Sequence, residues 1–148
     1  MIEPTTDPRT GMTTAVGMLS AIYAATFFFG ALLHLGVRIP LGSAVVAEPR
    51  ILPAAIVESL CGLALLICAF AVLTRARFAR TAAFAANAFA LGGVLLGVVA
   101  LAAGGGPSTD LNTIFHRVML VALVAVLALL VTSTGRTALS GTRRTTER

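Results

Sequence analysis

Lysine and tryptophan are both missing from this 148-residue chain, and charge of either sign is scarce. Charged side chains make up 11% of it against 57% hydrophobic, and the mean hydropathy is +0.95. A water-soluble domain needs more polar surface than this to cover its core, so the composition excludes one and points to an integral membrane protein. The net charge of +5 comes from arginines standing between apolar blocks. They are not interleaved with aromatics on one face, so nucleic acid is excluded as a partner.

Cysteine is nearly absent too. Cys61 and Cys68 are seven residues apart, which on a helix rising about 1.5 Å per residue separates them by roughly 10 Å, beyond the ~7 Å reach of a disulfide. They form no CxxC pair, no His or Asp stands nearby at ligand spacing, and no metal pattern is present. No Ser or Cys has a base in sequence reach, and there is no dinucleotide fingerprint. Gly104-Gly105-Gly106-Pro107 lacks the GK[ST] ending of a phosphate loop. No catalytic residue is therefore assigned.

What the chain does have is four long apolar runs, read as helices over 12–35, 51–74, 81–103 and 113–134. Each approaches the ~20 residues needed to cross a bilayer. The first exceeds the ~7–15 residues of a signal-peptide core and ends without a small-residue cleavage site, so it reads as a retained helix. The polar residues 1–11 read as a disordered N-terminal arm, and 135–148 as a basic cytoplasmic tail. The expected fold is all-α, a four-helix up-and-down bundle in the membrane.

Arginine counts orient it. Arg9, Arg75, Arg77, Arg80, Arg136, Arg143, Arg144 and Arg148 fall on one side, against Arg38, Arg50 and Arg117 on the other. The arginine-rich side is cytoplasmic, which puts both termini inside and the first and third loops outside. The expected location is a bacterial cytoplasmic membrane, crossed several times.

Within the spans the few polar residues stand out. Glu58 is a carboxylate inside the second run, where an ionisable group costs roughly 2.5–3.5 kcal/mol on insertion scales and so calls for a function and a partner. On this topology it lies roughly 10 Å below the outer boundary. His34, in the last turn of the first span, and His116 with Arg117, at the entrance of the fourth, share its outer half. Stepping about 100° per residue, Ser20, Tyr23, Phe27, Gly30 and His34 share one face of the first helix, and Glu58 shares a face with Cys61, Gly62 and Leu65. Glu58, His34, His116 and Arg117 are thus the candidate cluster, binding a ligand or fixing helix register. An ion pair from Glu58 to Arg117, or a hydrogen bond from His34, is the expected partner. The two histidines could ligate a haem, but their shallow depth and sparse aromatic surroundings argue against one. Gly93 and Gly97 form a GxxxG suited to close helix packing, in the bundle or at a homodimer seam. Residues 37–50, broken by Pro40, Gly42 and Pro49, form either a solvated turn or a lid over the bundle mouth.

The first helix ends G-x-x-x-H-L (Gly30 to Leu35) and the second reads I-V-E-x-x-x-G-L-x-L-L (Ile56 to Leu66), with an arginine-rich hairpin after it. In these features, across about two thirds of the chain, it resembles the DoxX-like family of small four-span bacterial membrane proteins. The resemblance implies the four-helix fold and picks out His34 and Glu58. It also allows a redox role at the quinone pool: an accessory or binding protein that holds a quinone or another lipophilic molecule, or that docks to a larger membrane oxidoreductase. A purely structural or assembly protein is the alternative. A proton pathway would have only Asn87, Ser20 and Tyr23 to extend it inward, too few for a pump.

Overall fold

The computed structural model describes residues 8–107 and 109–132, together with Gly135, Thr137 and Leu139. Residues 1–7 of the expected arm, and the tail beyond 132 apart from those three positions, lie outside the described residues. Four helices account for most of the rest: α1 (Pro8–His34), α2 (Leu52–Leu73), α3 (Ala79–Ala102) and α4 (Asp110–Val131). The shortest have 22 residues, about 33 Å at 1.5 Å per residue, enough for a ~30 Å hydrocarbon core. All four are long and apolar enough to cross a membrane.

Local chemistry explains the ends. Helix α1 starts four residues earlier than expected, with Pro8 at its first position, where a missing N–H is harmless. Helix α4 also starts early because Thr109 caps it, its hydroxyl accepting the Asn112 N–H at 3.1 Å. Three helices stop in the same way. The N–H groups of Gly36 and Val37, of Arg75 and Ala76, and of Gly104 and Gly105 fold back onto the last-turn carbonyls. This closure needs a left-handed residue, and Gly36 and Gly104 supply it at φ 97° and 73°. Arg75 does the same at φ 54° without being glycine.

Consecutive helices pack side by side, most extensively α1 on α2, and the rings of Phe27 and Phe115 meet edge to face with centroids 5.6 Å apart, joining α4 to α1. The contacts are dominated by small residues, including Ala24, Ala31, Ala69, Ala83 and Ala90, with Phe27, Leu65 and Leu123 as the large buried groups. Small residues let helix backbones approach, the usual mode where lipid removes the hydrophobic drive between helices. The outward surfaces are apolar as well: Ile22, Phe70, Phe89, Leu96 and Val121 are all exposed. An object apolar inside and out suits a bilayer and not water.

Two features depart from expectation. Residues 37–50 contain a small hairpin, β1 (Ile39–Leu41) against antiparallel β2 (Ala44–Val46), with Ile39 opposite Val46. Its two-residue turn starts at Gly42, φ 62°, the conformation such turns assign to glycine. Beyond α4, Leu139, within the expected 135–148 tail, is helical and buried against the core.

Candidate functional site

The end of α1, the start of α2, the end of α3 and the start of α4 meet at one end of the molecule, beneath the first and third loops. There they enclose a cavity of about 190 Å³. Val57, Leu96, Ala100, Leu101, Ile51 and Pro53 make most of its wall apolar, and His34, Glu58, Asn112 and His116 supply the polar groups. Few precisely placed polar groups in an apolar wall is the usual make-up of a small-molecule site.

Glu58 enters from α2 with its side chain 8% exposed, and its carboxylate lies against α1 where Gly30 leaves the backbone bare. A Cβ at Gly30 would stand 3.0 Å from Oε1. His34 Nε2 is 3.7 Å from the same oxygen, while Oε2 is buried without a hydrogen-bond partner. The other ring nitrogen of His34 donates to the Pro49 carbonyl at 3.1 Å, and Ile51 N–H donates to the His34 carbonyl at 3.0 Å. The loop after the hairpin is thus fastened to the end of α1. A second fastening crosses to the third loop: Thr109 donates its hydroxyl to the Glu48 carboxylate at 2.7 Å while capping α4.

His116 enters from α4, 9% exposed, and its Nδ1 donates to the Asn112 carbonyl one turn back at 2.8 Å. Its Nε2 lies directly against Gly97 of α3, where any Cβ would collide with it. Gly93, one turn earlier, receives Cys61 of α2, whose Sγ would stand 2.6 Å from an added Cβ. The GxxxG pair of α3 therefore receives side chains of α2 and α4 within this chain.

Of the four residues of the expected cluster, the structure brings together His34, Glu58 and His116. It does not bring in Arg117, which is exposed and lines no part of the cavity. Arg117 follows His116 by one residue and so points about 100° away from it around the helix. The expected Glu58–Arg117 ion pair is therefore not made; of the two expected partners, His34 is the one beside Glu58, at 3.7 Å. Asn112 was missed, although the N-x-x-x-H spacing puts it on the His116 face. The Pro49 and Asn112 carbonyls left no trace in side-chain patterns, being backbone groups.

Among the described residues no three His, Cys, Asp or Glu side chains converge to hold a metal. A cavity of about 150 Å³ takes one benzene ring, so about 190 Å³ accommodates a group of ring size. Away from the cavity, Asn87 is fully buried, donating to the Ala83 carbonyl at 2.7 Å with its Oδ1 unpartnered. Ser20 lies 3.3 Å from Cys68, and both cysteines are free and buried. No known protein family, curated protein or solved structure matches the chain.

Proposed function

We propose that this is a small membrane protein of the DoxX-like type that holds the ring of a lipophilic molecule, with a quinone head group as the leading class, in the cavity at Glu58, His34 and His116. The carrying observation is the cavity itself: ring-sized, apolar-walled, and bordered by buried polar groups from three helices. Leu96 lines it and is also 58% exposed, so its wall is continuous with the apolar outer surface, where a tail could remain in lipid. The helices run up and down, with both termini in the cytoplasm and the cavity in the outer half of a bacterial inner membrane. The arginine asymmetry supports this orientation. Such a protein serves as an accessory subunit, docked to a larger membrane redox enzyme or to a second copy of itself.

Purification from native membranes followed by extraction tests the reading. A ring-bearing lipophile is expected with the wild type and not with Ala54→Leu, which fills the cavity from α2. The same extract from both proteins would overturn it. Reporter fusions at Gly105 and in the 75–80 hairpin are expected outside and inside respectively, and the reverse would place the cavity on the cytoplasmic side.

The buried His34–Glu58 pair favours a second reading, in which the polar groups only set the register of α1 against α2. A protein that carries nothing in any membrane would select it.

A further inference from the structure

We propose that the cavity selects a ligand bringing its own hydrogen-bond donor, a ring-sized hydroxyl compound of the phenol class, and that Nε2 of His116 accepts that proton. This rests on the cavity being a ligand site, and it narrows the head group proposed above to its reduced, hydroxyl-bearing form. The argument begins with a backbone carbonyl, which can only accept. For His116 Nδ1 to meet the Asn112 oxygen at 2.8 Å it must carry the proton. A neutral ring protonated there has a bare lone pair at Nε2. That nitrogen has no hydrogen-bond partner among the described residues and is not fully sealed, in a residue that is 9% exposed. Gly97 keeps the α3 side of it free of any Cβ.

His34 is locked in the same sense by the Pro49 carbonyl, and its Nε2 is turned to Glu58. With its proton on Nδ1 a neutral His34 has a bare Nε2, which stands 3.7 Å from Glu58 Oε1, beyond a hydrogen bond. Neither imidazole thus offers an N–H to the cavity. The remaining polar side chain, the Asn112 carboxamide, stands one turn from His116 on the same face. It can donate to a ligand oxygen. A hydroxyl matches this pair, giving its hydrogen to His116 and accepting from Asn112. A hydrocarbon, or a ring whose oxygens are all carbonyl, would fill the cavity, exclude water and leave Nε2 unpaired, and unmade buried hydrogen bonds weigh more than made ones help.

The chain has two histidines, so selective ¹⁵N-histidine labelling of the full protein in micelles reports both rings without ambiguity. The His116 signals are expected to show Nδ1 protonated and Nε2 bare; a proton on Nε2 would overturn the inference on the wild type alone. Phenol and toluene then serve as probes of one shape, with and without the donor. Phenol should shift the His116 Nε2 resonance and bind at least tenfold more tightly, about 1.4 kcal/mol, after correction for partition into the micelle. His116→Phe should bring the two probes to near parity. Equal binding to the wild type with no Nε2 shift would overturn donor selection while leaving the cavity a ligand site. Binding of neither probe would overturn both.

Discussion

Gly97→Ala adds a single methyl at the point where α3 and α4 touch through His116. The imidazole cannot withdraw freely, because Nδ1 is held by the Asn112 carbonyl at 2.8 Å and an added Cβ would also stand 2.9 Å from Cδ2. Overpacking of this kind typically costs about 1–3 kcal/mol. Against it, Ala in place of a mid-helix Gly contributes about 0.5–1 kcal/mol through reduced backbone freedom. The expected net is therefore a loss of up to about 2.5 kcal/mol. Gly92 is the control: it lies in the same helix with nothing within 4 Å of an added Cβ, so Gly92→Ala should gain about 0.5–1 kcal/mol. Removing the imidazole should free position 97. In a His116→Ala background, Gly97→Ala should turn from a loss into a similar gain, a coupling of about 1–3 kcal/mol between two residues in contact. Reversible unfolding in mixed micelles, followed by circular dichroism, measures all four variants. If Gly97→Ala is tolerated as well as Gly92→Ala in the otherwise wild-type protein, the placement of His116 against α3 is wrong.

Three further outcomes follow from the same geometry. His34→Ala removes the side chain beside the buried Glu58 carboxyl, with an expected loss of about 1–3 kcal/mol. Glu58→Gln added to it should lose less than the sum, whereas Arg117→Gln, at an exposed position, should stay within about 0.5 kcal/mol in the same unfolding assay; additive losses would remove the pair. Asn87→Leu deletes a buried, unpartnered Oδ1 and should be neutral or stabilising by up to about 2 kcal/mol, so a loss as large as a core deletion would reveal a hidden partner. Arg75→Gly relieves a non-glycine residue at φ 54° and should raise stability by about 1 kcal/mol. A lower midpoint would mean that the exposed 3.3 Å bond from Arg75 to Thr10 outweighs the backbone strain.

Much of the architecture was legible because it depends on one variable, hydrophobicity against position. Four apolar runs define four spans, since a bilayer leaves backbone N–H and C=O groups no partner but their own helix. The inward faces were legible too. About 100° per residue puts Ser20, Phe27 and His34 on one side of α1, and they are 1%, 2% and 3% exposed. Helix ends were less so: Thr109 and Pro8 moved two starts outward by a few residues, and a small hairpin occupies what periodicity could read only as a loop.

The site divides in the same way. Depth along the spans could bring His34, Glu58, His116 and Arg117 to one level, because rise per residue is local geometry. Direction around α4 then separates His116 from Arg117, and only packing decides which side of α4 meets α3. Nor could composition say that Gly30 and Gly97 each leave bare backbone under one polar group. Glycine spacing marks a close approach without naming what approaches. The tautomers of both histidines depend on carbonyls brought near by a loop and a helical turn, and those positions exist only once the chain has folded.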